Sequence, residues 1–131
     1  MTRSCTDGRY VYLLHFYPDR PYLKYVEYMF QTPTTRLWKE MFDAGQLNEI
    51  QSQAWRRKPV QELFDLKADP DEVVNLADRP EHAARLAKMH DETRQWMKRV
   101  LDTGVYPEHD LHRLSAEKSP RELTLSQTER T

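Results

Sequence analysis

Alternation of apolar and polar side chains is strongest near the N-terminus. The run Arg9-Tyr10-Val11-Tyr12-Leu13-Leu14-His15-Phe16-Tyr17 is rich in aromatic and β-branched residues, which favour a pleated, extended backbone. With a period of two, Tyr10, Tyr12, Leu14 and Phe16 share one face, and Val11, Leu13 and His15 share the other. Both faces are largely apolar, so the pattern predicts a central strand that is covered, at least partly, on each side. Arg3 to Thr6 precedes it across Asp7-Gly8, a pair suited to a two-residue type I′ turn. A hairpin over 3–17 follows. Pro18 and Pro21 end the strand and stiffen the loop to Tyr22, and the stretch on to Phe30 has no clear period.

Helical spacing then takes over. Thr32 is placed as an N-cap with Pro33 at the first helical position. Leu37, Trp38, Met41 and Phe42 lie on one face, and Gly45 stands just past the end. A second short helix carries Leu47, Ile50 and Ala54, with Arg56-Arg57-Lys58 in its last turn, where cations suit the negative end of the helix dipole. These two helices form an insertion over 33–57. A short strand is predicted at 62–66 and a turn at Asp69-Pro70-Asp71-Glu72. A long helix is predicted over 80–101, striped by Ala83, Leu86, Ala87, His90, Met97, Val100 and Leu101 and stopped by Gly104 and Pro107. The expected fold class is α+β: a small antiparallel sheet of three or four strands with the long C-terminal helix packed on it. Residues 1–104 make the folded unit, and 105–131 read as a polar, flexible tail.

Composition narrows the functions available. The 131 residues have a formal net charge of -1 and an apolar fraction of 38%, low for a globular chain. A core must therefore be small or be completed by another surface. Neither half has the basic excess of a phosphate-backbone binder, so no nucleic-acid partner is expected. No apolar run is long enough for a membrane span, no signal peptide is visible, and the compartment is not read from the sequence. The aromatic residues crowd the first half, giving an aromatic-rich front, a helical middle and a polar end.

Candidate chemistry is sparse. Cys5 is the only cysteine. No histidine or helix start lies near it in sequence to activate a thiolate, so it reads as an inert strand residue. His109 and His112 are three apart with an acid between them, but nothing in a tail would orient them as metal ligands. His90 falls on the helix stripe and reads as a packed core histidine, and His82 lies in the first helical turn. The suggestive place is the strand-end loop, where His15, Tyr17, Asp19, Arg20 and Tyr22 cluster. Aromatic rings with Arg and His suit a sugar bearing an anionic group, because rings stack on sugars and a guanidinium forks onto oxyanions. His15, Arg20 and Tyr22 are the candidate substrate-binding residues; no catalytic or metal-binding residue is assigned.

At Glu62 the sequence acquires a resemblance. Glu62-Leu63-Phe64-Asp65-Leu66-Lys67-Ala68-Asp69-Pro70-Asp71-Glu72-Val73-Val74-Asn75-Leu76 resembles the E-L-[YF]-D-L-x-x-D-P-x-E-x-x-N-L signature near the C-terminus of sulfatases. Asp7-Gly8-Arg9-Tyr10-Val11-Tyr12 is similar to the hairpin that precedes it there. Phe16 to Tyr22, Thr32 to Arg36 and Gly45 to Glu49 are similar to a sulfamidase-like branch (N-sulfoglucosamine sulfohydrolase and relatives). The resemblance covers about Arg3 to Leu101. Within the signature, Asp65 and Asp69 are expected to cap the turn at Pro70, and Glu72 and Asn75 to serve free backbone groups.

The resemblance implies a parent hydrolase of sulfate esters or N-sulfated sugars, glycosaminoglycans among them, with calcium and formylglycine in its catalytic domain. The formylglycine motif C-x-[PA]-S-R is matched by Cys5-Thr6-Asp7-Gly8-Arg9 only at the Cys and the Arg, and in the wrong hairpin. The metal-binding aspartates have no counterpart. The chain therefore resembles the C-terminal subdomain alone, a fragment or truncated relative, with a sulfatase catalytic domain (in cis or lost) as partner and a sulfated sugar as ligand. By itself it is expected to be inactive. Relatives are mostly exported or lysosomal. The alternative reading is a free-standing interaction module that binds an anionic glycan or a protein.

Overall fold

The computed structural model describes residues 1–117 and 119–128, without the side chains of 123 and 126–128. Three strands, β1 (Thr2–Thr6), β2 (Tyr10–His15) and β3 (Gln61–Asp65), form one antiparallel sheet in the order β1-β2-β3. β2 is the central strand, as its two-sided apolar pattern predicts. Its register sets Cys5 opposite Tyr12 on one side and Leu63 opposite Tyr12 on the other. Tyr12 and Leu63 are sealed from solvent, and Tyr10, Leu14 and Met89 complete the buried cluster.

The hairpin turn lies one residue later than the sequence suggests. Asp7 N–H donates to the Tyr10 carbonyl, so Gly8 and Arg9 are the two loop residues. Gly8 alone of the pair has positive φ, 92°, a first loop position that glycine takes without strain. Asp7 stabilises it from outside: its carboxylate accepts the Tyr10 and Arg9 N–H groups, and those bonds hold its pKa below the ordinary carboxylate value.

The long connection from β2 to β3 holds three short helices: α1 (Glu27–Phe30), α2 (Pro33–Asp43) and α3 (Glu49–Ser52). α1 falls where no period was evident; one turn is too short to show one. Pro33 opens α2 after Thr32, but the Thr32 hydroxyl turns back to the Met29 carbonyl rather than capping. Gly45 ends α2 at φ 67°, and the bonds Gln46 N–H to Met41 and Gly45 N–H to Phe42 make a Schellman motif. α3 is capped by a reciprocal Asn48–Gln51 box and stops at Ser52. A 3₁₀ turn, Gln53–Trp55, follows. Arg56-Arg57-Lys58 thus lies beyond the helical turns, and Pro21 and Arg57 form an isolated antiparallel bridge.

Trp55 is the hub of this insertion. The rings of Phe30, Trp38 and Phe42 lie 6.2, 5.3 and 6.3 Å from it. Trp38 and Phe42 are half-buried by this stacking. The open aromatics of this insertion are Tyr25 and Tyr28, each about three-quarters exposed, and Leu37 and Ile50 of the same insertion are exposed as well.

The long helix, α4 (Ala83–Arg99), crosses β1 and β2 after a 3₁₀ turn at Pro80–His82. Its buried residues are Met89 and Thr93, both absent from the predicted stripe. The Thr93 hydroxyl is satisfied by the Met89 carbonyl at 2.9 Å, which lets a polar residue face the sheet. Leu86, His90 and Met97 flank this line at intermediate burial, while Val100, Ala83 and Ala87 are exposed. The helix ends before Gly104. Leu101 takes the left-handed conformation, φ 53°, and the bonds Asp102 N–H to Met97 and Leu101 N–H to Lys98 close a second Schellman motif. Arg3 grips Asp102 through two bonds of 2.6 and 2.7 Å, tying β1 to the chain beyond the helix. Residues 105–131 were expected to be a flexible tail, and their described part contains α5 (Glu108–Leu114) and α6 (Pro120–Thr128). Helical periodicity there is weak because neither helix has a buried residue among those described. No helix among the described residues is long and apolar enough to cross a membrane.

Met89 lies at the junction of helix and sheet. Met89→Ala should cost about 2–5 kcal/mol, whereas exposed Arg94→Ala should change stability by less than about 0.5 kcal/mol. Urea unfolding of both variants checks this, and equal losses would show that α4 does not cover the sheet as described.

Candidate functional site

The strand-end loop folds over the end of β2, and β3 supplies the group that holds it there. His15 is buried. Its Nδ1 meets the Thr2 hydroxyl at 2.8 Å and its Nε2 meets Glu62 Oε2 at 2.6 Å. The other Glu62 oxygen accepts a short hydrogen bond from the Tyr22 hydroxyl. The Tyr22 ring stands edge-on to His15, 5.7 Å between centroids. Burial first, then the bond to Glu62, raises the Tyr22 pKa far above its usual value, so the hydroxyl stays a donor. Lys58 is buried too, with Nζ 6.0 Å from the Tyr22 ring centroid.

Two of the three predicted residues, His15 and Tyr22, therefore come together, with their polar atoms turned inward on Glu62. Arg20 stands apart. It is exposed, lies 5.4 Å from the Tyr17 ring centroid, and is 4.0 Å from Asp19. Sequence reasoning missed Glu62 and Lys58 as members of this group. Glu62 was legible only as the first residue of a strand, and Lys58 only as one of three helix-end cations.

Next to the loop is a cavity of about 360 Å³, lined by Tyr22, Trp38, Ile50, Gln53, Ala54, Asp71 and Glu72. Its two charged lining residues are acidic, so it disfavours an anion. Glu72 has φ 54°, left-handed backbone that follows from its position at the end of the Asp69 turn, where its N–H donates to the Asp69 carbonyl.

The rest of the 62–76 segment is structural. Asp65 takes the Arg9 guanidinium in a fork, 2.7 Å at its shortest, and also accepts the Lys67 N–H. Asp69 accepts the Val74 N–H at 2.7 Å. Asn75 closes the outer edge of β3: its side chain accepts the Leu63 N–H and donates to the Gln61 carbonyl, and Leu76 N–H bonds the Leu63 carbonyl. An open strand edge is thereby sealed by one amide side chain. Asp65 and Asp69 serve the turn as expected, and Asn75 serves backbone as expected, but on the strand edge.

The other candidates fall elsewhere. Cys5 Sγ points at the Met89 carbonyl, 3.5 Å away, a packed thiol on β1. His90 Nδ1 meets the Tyr12 hydroxyl at 2.8 Å, and Tyr12 also donates to Gln61; burial raises the Tyr12 pKa to about 12. His109 and His112 are exposed on α5, near Asp110 and Glu108. Among the described residues no three His, Cys, Asp or Glu side chains are grouped to hold a metal ion.

Comparison with known proteins follows the same lines. The chain is 34% identical over 110 residues to the "Ulvan-active sulfatase" of Formosa agariphila, a match covering 83% of this chain and 18% of that protein. The chain thus spans less than a fifth of its relative's length. A match this long cannot leave out residues 62–76. No protein-family model matches. Most of the chain is therefore related to one region of a sulfatase, and the match does not support the sulfamidase-like branch.

The Arg9–Asp65 fork gives a pH test of the sheet edge. Arg9 holds the Asp65 carboxyl well below its ordinary value of 3.8, so the folded state keeps it ionised where the unfolded chain would protonate it. Its stabilisation is full above about pH 4 and fades as pH falls through the lower folded-state value. Asp65→Asn should lower Tm by several degrees at pH 7, and the gap from the parent chain should narrow only below about pH 4. Thermal melts across pH 2–7 check this; a gap that does not vary with pH would mean that the carboxylate charge is unimportant.

Proposed function

We propose that this chain is the C-terminal subdomain of a sulfatase-type hydrolase and that its Tyr17–Tyr22 loop helps wall the substrate cleft of a catalytic domain. The observation that carries the reading is the match over 83% of the chain, taken with a signature segment whose polar groups serve the fold. Residues built in this way support a neighbouring site and do no bond-breaking themselves. Cys5 does not fit a formylglycine position, since its sulfur is turned into the helix and Arg9 is held by Asp65. Calcium and formylglycine would belong to the catalytic domain, in cis or on a separate chain. The relative's name favours ulvan, or a polymer like it, as substrate of the whole enzyme over the N-sulfated sugars of the sulfamidase-like branch.

On this reading Arg20 is the residue that meets substrate, with His15 and Tyr22 as its support. It is exposed, its guanidinium lies near the Tyr17 ring, and the loop is stiffened by Pro18 and Pro21. A stiff loop loses little entropy on binding, and Arg can grip a sulfate or carboxylate with two parallel bonds that Lys does not reproduce. The exposed aromatics Tyr25 and Tyr28, with Leu37 and Ile50, would lie toward the catalytic domain.

The test is kinetic. The chain alone, with calcium and an aryl sulfate, should show no turnover. Joined to a catalytic domain, Arg20→Lys should lower kcat/KM for the anionic polymer by the worth of a charged hydrogen bond, about 1.5–3 kcal/mol, and leave a small aryl sulfate nearly unchanged. Equal losses on both substrates would make Arg20 structural, and no loss on either would remove the loop from the cleft.

A further inference from the structure

Lys58 is a buried cation without a carboxylate. The residue is 8% exposed, yet among the described residues no carboxylate lies within ion-pair distance of its ammonium, which lies 6.0 Å from the Tyr22 ring centroid. Burying an ammonium is unfavourable unless something answers it. The nearest acid of the network, Glu62, has one oxygen taken by His15 and the other by Tyr22. Asp19 lies beside Arg20. Among the described residues, Trp55 Nε1 is the side-chain polar atom both sealed from solvent and unpartnered, so the unpartnered Lys58 ammonium still touches solvent. Its stem is covered and its head is not fully sealed.

Other cations lie on the loop next to it. The bridge between Pro21 and Arg57 lays the Lys58 segment against the loop that carries Arg20 and Lys24. Arg20 and Lys24 stand two residues to either side of Tyr22, the residue whose ring Lys58 faces, and the Met1 amine, its pKa lowered by burial first and then by the charges of Lys24, Lys58, Arg3 and Arg20, agrees with a cationic neighbourhood. Arg3 is already matched by Asp102. Lys24 is exposed and, like Lys58, has no carboxylate partner among the described residues.

We propose that Lys58, flanked by Lys24 and Arg20, forms an oxyanion-binding site for a sulfate ester or carboxylate carried by a sugar chain. The site deepens the proposed function, because it rests on the same loop and assigns the contact to a residue outside the signature. It belongs to this chain alone, so it is tested without a catalytic domain. A packed stem limits the freedom Lys58 loses on binding, and the aromatic ring beneath it gives the sugar an apolar neighbour.

The experiment titrates the 131-residue chain with sodium sulfate at constant ionic strength, following the Lys58 ammonium and Tyr22 ring resonances by NMR. The same titration uses a sulfated disaccharide and its desulfated, uronate-bearing counterpart. Saturable shifts at Lys58 and Tyr22, absent with chloride, are expected, and Lys58→Met should weaken binding about tenfold or more. Shifts from both sugars support a general oxyanion site, and shifts from the sulfated sugar alone narrow it to the sulfate ester. Shifts that never saturate, or that spread evenly to exposed Lys67 and Lys88, overturn the proposal and leave Lys58 a lysine that merely reaches water. Should Lys58→Met not fold, the double variant Lys24→Gln/Arg20→Gln, both on the surface, must weaken sulfate binding severalfold; unchanged binding there overturns the proposal as well. The kinetic test of Arg20 is unaffected by this result, so the two readings fail separately.

Discussion

Two carboxylates on one five-residue strand organise the molecule. β3 places Glu62 and Asp65 three residues apart, both buried, and a buried carboxylate must be answered by donors. The donors come from far along the chain. Asp65 is met by Arg9 in the hairpin loop, and Glu62 by His15 at the end of β2 and by Tyr22 in the loop that follows. Each tie therefore fixes a different piece of the fold: the first clamps the turn end of the hairpin to β3, and the second clamps the opposite end and the loop beyond it. A one-residue slip of β2 against β3 would break both ties at once and turn Tyr12 out of the core. Removing Glu62 would leave donors on His15 and Tyr22 unpaired, at about 1–3 kcal/mol each. For a domain whose buried apolar cluster is five residues, that is a large part of its specificity for one arrangement.

How much of this could be read in advance follows from the range of each interaction. The hairpin, the central place of β2, Pro33 at the start of α2, Gly45 at its end and the strand at 62–66 were legible, because local pattern and turn chemistry decide them. The hairpin loop lies one residue beyond the Asp7-Gly8 signal because Asp7 braces the loop from outside it. Met89 and Thr93 were missed because their burial depends on where α4 crosses the sheet, and Thr93 is polar. The Schellman end at Leu101 was missed because leucine gives no signal for a left-handed residue. Two of the three candidate site residues do converge, but the centre they converge on, Glu62, lies 47 positions beyond His15, and nothing local links them.

The insertion is stabilised differently from the sheet. α1 and α2 bury no residue and α3 buries only Ser52, so this layer depends on ring stacking about Trp55 and on a few backbone ties, Leu23 N–H to Ala54 among them. Half-buried aromatic clusters lose much of their transfer energy to the water they still touch. Under the proposed reading, a catalytic domain lying against Tyr25, Tyr28, Leu37 and Ile50 would bury what this chain leaves open, which also accounts for a composition poor in apolar residues.

Structure and recognition are thus divided between different residues of the same few elements. In the 62–76 segment Glu62, Asp65, Asp69 and Asn75 are each bound to the chain itself, which is why the segment marks the fold and carries no information about a ligand. The cations beside this scaffold are Arg20 and Lys24, both exposed, and Lys58, whose stem is packed, and each is positioned by a residue that serves the fold. Arg20 and Lys24 flank Tyr22, which Glu62 anchors, and Lys58 lies on the ring of that same tyrosine. Changing the cations would alter what the surface attracts while leaving the carboxylate ties of β3 in place. Changing Glu62 would release the loop and scatter the cations together, so a loss of binding in that variant would report on the scaffold, and only the cations can report on the ligand.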